Sequence, residues 1–141
     1  MRVHTVLFGA TLLTAQLSPA LAANEFTEKD VRGAYAFSFH GEIVGVGSVA
    51  ATGRMFADGN GNIPEAVRTI SVNGVPQTET FTCTITVDAN GTGSAVCPLD
   101  DPAPGFPPVE TFDFVLEEKG RSFRFVGTTP GIVVLGSGLN Q

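Results

Sequence analysis

The side chains of this chain that could do chemistry are few, and each can be weighed by its spacing. His40 is the only histidine left once an N-terminal segment is set aside, so a Ser-His-Asp or Cys-His relay would have to run through it. In Ala34-Tyr35-Ala36-Phe37-Ser38-Phe39-His40 it falls out of phase with Tyr35, Phe37 and Phe39, which puts it on the wet face, and no Gly-x-Ser-x-Gly elbow accompanies it. Glu110, Asp113, Glu117 and Glu118 lie close enough in sequence to suggest the carboxylate pair of glycoside hydrolysis. Asp113 and Glu117 interleave with Phe112, Phe114 and Leu116, however, and read as a solvated face.

Two acidic, glycine-containing stretches have the look of calcium loops. Asp58-Gly59-Asn60-Gly61-Asn62 has Ile63 where the sixth-position glycine belongs, and the loop starting at Asp88 has Leu99 where the bidentate glutamate belongs. Both read instead as hairpin turns, for which Asn-Gly is a strong signal. The expectation is therefore a chain with no catalytic residue, no metal and no cofactor, that is, not an enzyme.

Cys83 and Cys97 are the only cysteines. Phe81, Cys83, Ile85 and Val87 share one face, and Asp88-Ala89-Asn90-Gly91-Thr92 reads as a turn with Gly91 in the left-handed position. If Asp88 faces Thr92, then Val87 faces Gly93, Ile85 faces Ala95 and Cys83 faces Cys97. The register predicts a disulfide across the hairpin. A metal site would need further ligands, and the processed chain offers one histidine and no third cysteine.

A disulfide persists only outside a reducing cytosol, and the N-terminus agrees. Met1-Arg2-Val3-His4 carries one positive charge, Thr5 to Leu17 is largely apolar, and Ala20-Leu21-Ala22 offers small residues where a signal peptidase reads. Gln16 and Pro19 interrupt the apolar run, which falls short of the roughly 20 residues that span a bilayer. Residues 1–22 are thus expected to be a signal peptide and 23–141 a single exported domain, periplasmic or extracellular, with no membrane insertion after processing. Removing Arg2 leaves 7 basic against 14 acidic residues, a net charge of −7. That balance repels phosphate backbones, so nucleic acid and anionic membrane surfaces are poor partners.

What must position these residues is a succession of short segments with two-residue alternation. Strands are read near Ala34–His40, Ile43–Ala50, Thr52–Ala57, Glu65–Val72, Thr78–Val87, Gly93–Cys97, Glu110–Glu117, Arg121–Gly127 and Ile132–Gly136. The second and third could be one bent strand, with Gly45, Gly47 and Gly53 marking bulges or close backbone approach. Tight hairpins joining them predict an all-β fold: an antiparallel up-and-down meander barrel of about eight strands, with a two-sheet sandwich as the rival. Glu25–Arg32 reads as a short helical turn with Thr27 as N-cap and Asp30 at the capping-box position, placed to cover one barrel end. Pro98–Pro108 is too proline-rich to pair in a sheet and reads as a loop at a barrel mouth, either a binding element or a tolerated insertion.

Gly33-Ala34-Tyr35 resembles the Gly-x-Trp that opens calycin barrels, lipocalins and avidins among them, with tyrosine in place of tryptophan. The wider run from Gly33 through Gly41, with Asp58-Gly59-Asn60-Gly61-Asn62, Asn73-Gly74 and Thr92-Gly93, is similar to small secreted bacterial barrels of the lipocalin or allene oxide cyclase kind. The resemblance implies the barrel and carries over no ligand-binding or catalytic residue.

The interior holds the functional content. Phe37, Phe39, Phe81, Phe112, Phe114, Phe123 and Phe125 share the inner face with Tyr35, Ile85, Val87 and Leu116. An eight-strand barrel can be filled by such side chains or can hold one small ligand. Tyr35, Phe37, Phe39, Phe112, Phe114, Phe123 and Phe125 are the candidate ligand-binding residues, and a small apolar molecule is the candidate partner. The alternative is an envelope-associated or secreted interaction protein whose filled barrel displays its loops to a protein partner.

Overall fold

The computed structural model describes residues 25–141; the expected signal segment and its cleavage point after Ala22 lie outside the described residues. Eight antiparallel strands, β1 (Arg32–Ile43), β2 (Gly47–Asp58), β3 (Asn62–Val72), β4 (Val75–Val87), β5 (Thr92–Pro98), β6 (Val109–Glu117), β7 (Ser122–Gly127) and β8 (Ile132–Asn140), follow one another around a closed barrel. Pairing of β1 with β8 closes it, with Tyr35 opposite Asn140 and Ile43 opposite Ile132. The expected meander barrel is the observed fold. Alternation explains the wall: in β1 the residues Tyr35, Phe37 and Phe39 are buried while Ala36, Ser38 and His40 are exposed.

Several boundaries differ from the sequence reading: β1, β3 and β4 begin two or three residues earlier, and three further differences concern the chain's turns and ends. No strand runs over Ile43–Ala50: Ile43 ends β1, Val44-Gly45-Val46 turns the chain, and β2 continues without a break through Ala50 and Thr52. Gly45 and Gly47 have φ of 79° and 136°, so they serve this turn rather than bulges within a strand. At the C-terminus β8 extends past Gly136 to Asn140, because Gly136 and Gly138 still pair with β1 and β7. The N-terminal helical turn is a three-residue 3-10 turn, Glu28–Asp30, since Arg32 already belongs to β1. The predicted capping box pairs Thr27 with Asp30, and the Thr27 amide donates to Asp30 Oδ2 at 2.8 Å.

Inward glycines make room for the aromatic interior. Phe114 lies opposite Gly93, Phe125 opposite Gly136, and Phe123 opposite Gly138. A Cβ added at these glycines would approach the facing ring to 2.4, 2.4 and 2.2 Å. The rings therefore lie across the wall where a side chain is missing, a use of strand glycine for close approach.

The two barrel ends are closed differently. At one, the 3-10 turn packs beneath the β4–β5 hairpin: the Phe26 amide donates to Ala89 O at 3.0 Å, the Val87 amide to Glu28 Oε1 at 3.1 Å, and Val31 is buried. The buried Tyr35 hydroxyl donates to Gly120 O at 2.6 Å, tying β1 to the β6–β7 turn. At the other end the stretch between β5 and β6 folds back over the mouth. Leu99, Ala103 and Phe106 are buried, the Leu99 amide donates to Pro108 O at 2.9 Å, and the Phe106 amide donates to Ala103 O at 2.9 Å. The Cys83–Cys97 disulfide joins β4 to β5, in the register that sets Ile85 opposite Ala95 and Val87 opposite Gly93.

Candidate functional site

The barrel interior contains a cavity of about 80 Å³. Phe37, Phe39, Phe112, Phe114, Phe123 and Phe125 line it, joined by Val31, Met55 and Leu116 from the end covered by the 3-10 turn and by Phe81, Cys83 and Cys97. Of the seven candidate ligand-binding residues, Tyr35 alone is not on the cavity wall; it stacks edge-on against Phe123 at 5.7 Å and spends its hydroxyl on Gly120. Edge-to-face contacts link the rings: Phe37 with Phe81 at 6.1 Å, Phe39 with Phe125 at 6.1 Å, and Phe112 with Phe125 at 5.4 Å. The volume is about half of the ~150 Å³ that suffices for benzene in an apolar cavity, so the aromatic rings fill most of the lumen and leave a small apolar space.

One residue on that wall is polar, Arg68 of β3. It is 2% exposed and stands between two carboxylates that are equally buried. Its Nε donates to Glu79 Oε2 at 2.5 Å and its Nη1 to Glu110 Oε2 at 2.7 Å. The guanidinium carbon lies 5.4 Å from the Phe39 ring centre and 5.3 Å from those of Phe81 and Phe106, a cation held by aromatic faces. Glu79 Oε1 accepts the amide of Ala103, so the cluster also anchors the segment that covers the mouth. That segment is further held by Gln77 Nε2 donating to Asp101 O at 3.0 Å and Thr80 Oγ1 donating to Asp100 Oδ2 at 2.6 Å.

Burial pushes the Glu110 carboxyl above its ordinary value; attraction to Arg68 works against this, and repulsion from Glu79 adds to it. Among the described residues, the buried side-chain polar atoms without a hydrogen-bond partner are Arg68 Nη2 and Glu110 Oε1, both in this cluster. Chemically the arrangement is a buried cation shared by two carboxylates, of which only Arg68 reaches the wall of the apolar cavity.

The other candidates stay apart from it. His40 is exposed on the outer face, and Asp113 is exposed on β6. Glu117 pairs with Arg124 at 3.0 Å on the surface. Asp58 closes its own turn, accepting from the Asn60 amide at 2.7 Å and from Asn62 Nδ2 at 3.0 Å, and these bonds hold its carboxyl below the ordinary value. Asp88 and Asn90 likewise accept from Thr92 within the β4–β5 turn. Among the described residues no group of three or more His, Cys, Asp or Glu side chains is arranged to hold a metal ion.

Arg68 and Glu79 were absent from the sequence reading, and Glu110 entered it only as one of four neighbouring carboxylates. The signal was there in phase: Arg68 alternates with Ala66 and Ile70, Glu79 precedes Phe81 by two, and Glu110 precedes Phe112 by two. Each residue's charge argued for the surface while its phase argued for the core.

The barrel defined by this wall and lumen is eight-stranded and antiparallel, the architecture that calycin barrels share. The chain matches no family model, no curated protein and no solved structure.

Proposed function

We propose that this chain is an exported, non-catalytic barrel of lipocalin-like design that holds a small apolar molecule in its lumen. The observation that carries this reading is the cavity lined by seven phenylalanines inside a closed wall. Apolar space of this kind stays dry and takes up small apolar guests in preference to water. The disulfide supports export to the periplasm or the extracellular medium, and the lone histidine of the processed chain, His40, stands outside the lumen.

The test is to purify the exported protein without detergent, extract it with organic solvent, and weigh the native protein by mass spectrometry. One small molecule per chain is expected, and adding it back should raise the melting temperature by mass action. An empty extract, together with no melting response to a panel of small apolar compounds, would overturn the reading.

A second reading, an interaction protein with a filled barrel, draws support from the outer wall. Val133, Leu135 and Leu139 of β8 are 62%, 59% and 59% exposed, and Val126 of β7 lies opposite Leu135. The segment over the mouth is less suited to that role than the sequence suggested, because Leu99, Ala103 and Phe106 are buried against the barrel.

A further inference from the structure

Three Asn-Gly pairs stand in the turns of this barrel, Asn60-Gly61, Asn73-Gly74 and Asn90-Gly91. In such a pair the glycine has no Cβ to keep its amide nitrogen away from the carboxamide carbon of the preceding asparagine, so the two can react with one another. A folded chain restrains the reaction in two ways. A hydrogen-bonded carboxamide must let go before it turns onto the backbone, and a hydrogen-bonded glycine amide must be released before its nitrogen can attack.

The three pairs differ in these restraints. At the β3–β4 turn Asn73 Nδ2 donates to Val46 O at 2.6 Å, and the turn holds Asn73 at φ 48°. At the β4–β5 turn Asn90 Oδ1 accepts from the Thr92 amide at 3.0 Å and from Thr92 Oγ1 at 2.7 Å, while the Gly91 amide donates to Asp88 O at 2.9 Å. Asn60 is exposed in the β2–β3 turn, and among the described residues neither its carboxamide nor the Gly61 amide makes a hydrogen bond. That turn is closed instead by Asp58, whose Oδ1 accepts from the backbone amides of Asn60 and Asn62 at 2.7 and 3.1 Å. Gly61 is buried, which slows the reaction relative to an open peptide but places no bond on either reacting group.

We propose that Asn60 is a site of spontaneous deamidation, with water as co-reactant, and that the fold protects Asn73 and Asn90 from the same change. The Gly61 nitrogen gives its proton to hydroxide and attacks Asn60 Cγ. The N–Cγ bond forms, the Cγ–Nδ2 bond breaks, and Nδ2 leaves as ammonia after taking a proton from water. Water then opens the five-membered imide: attack at Cγ leaves aspartate, and attack at the Asn60 backbone carbonyl leaves isoaspartate, with an extra methylene in the main chain. Nothing is oxidised or reduced. Either product adds a carboxylate to the turn that the Asp58 carboxylate closes, and like charges so near one another repel. Isoaspartate also lengthens the link to Gly61, whose carbonyl accepts from the Ile85 amide at 2.9 Å and so ties the turn to β4. The site lies in the wall and is independent of what the lumen holds.

Peptide mapping by mass spectrometry tests the assignment. The purified chain, with its disulfide intact, is kept at mildly alkaline pH in buffer and in parallel in concentrated urea, and aspartate and isoaspartate are followed at each pair. Dividing each folded rate by the rate of the same pair in urea isolates the effect of the fold. That ratio should be roughly 5-fold or more higher for Asn60 than for Asn73 or Asn90, the factor imposed by releasing one hydrogen bond. Equal ratios at the three pairs, or a higher ratio at Asn73 or Asn90, would overturn the proposal, as would a folded Asn60 that stays intact while its counterpart in urea is consumed. The variant Asn60→Gln supplies a second arm: on storage the urea midpoint of the wild type should fall while that of the variant holds. Equal drift in the two would refute the loosening of the turn.

Discussion

Removing Arg68 alone should be among the most damaging single changes to this barrel. Its side chain is 2% exposed, and the side chains of its partners Glu79 and Glu110 are 0% and 2% exposed, so Arg68→Ala leaves two buried carboxylates without their cation. Breaking a buried ion pair in this way typically costs about 3–5 kcal/mol, a large share of the roughly 5–15 kcal/mol by which a domain is stable. Contacts with the Phe39, Phe81 and Phe106 rings are lost in the same step. Because the cost comes mainly from the stranded charges, removing those charges as well should return much of it. In the combined variant Arg68→Met, Glu79→Gln, Glu110→Leu, methionine keeps a polarisable contact with the rings, and glutamine at 79 keeps an oxygen for the Ala103 amide. Its stability should lie at least about 2 kcal/mol above that of Arg68→Ala, in keeping with the near-neutral replacement of buried ion clusters by apolar groups. Equilibrium urea unfolding with the disulfide intact measures both, provided the slopes agree. Equal losses in the two variants, or a loss under about 1 kcal/mol in Arg68→Ala, would refute the account of the cluster as a mutually dependent set of buried charges.

Burial raises the Glu110 carboxyl above its ordinary 4.5, so the folded protein holds that proton more tightly than the unfolded chain. Its contribution to stability is full below the unfolded value and is lost as pH rises through the folded value. Glu110→Gln removes the titration, so its urea midpoint should gain on that of the wild type as pH is raised above 4.5, whereas parallel curves would show that Glu110 does not titrate over the range. Replacing both Cys83 and Cys97 by serine reopens a loop with a sequence separation of 14 and should cost roughly 3 kcal/mol; a midpoint unchanged from that of the oxidised wild type would contradict this. A Cβ at position 138 would fall 2.2 Å from Phe123 Cζ, so Gly138→Ala should turn that ring into the lumen at a cost of about 1–3 kcal/mol and reduce xenon uptake, which unchanged uptake would disprove.

What the sequence by itself determined is local. Alternation with a period of two assigned the buried face of β1, β4, β6 and β7, because side-chain direction on a strand depends only on the next residue along. Turn residues such as Asn73-Gly74 and Asn90-Gly91 set hairpins, and a hairpin's register follows from its turn, which is why Cys83 could be placed opposite Cys97. The choice left open near Ala50, two strands or one bent strand, shows the limit of that logic: Gly45 and Gly47 make a turn and Gly53 a close approach to Phe37, and composition does not tell these uses of glycine apart.

Only the tertiary structure decided what the interior contains. Arg68, Glu79 and Glu110 lie on three different strands, and a lone charge in the inward phase is unfavourable until its partners arrive. Closure of the barrel brings them to one level, and the folding of Ala103 and Phe106 over the mouth completes their surroundings. The same holds for the cavity: its volume is the small difference between the space the wall encloses and the rings that nearly fill it, and that difference exists only once all eight strands have met.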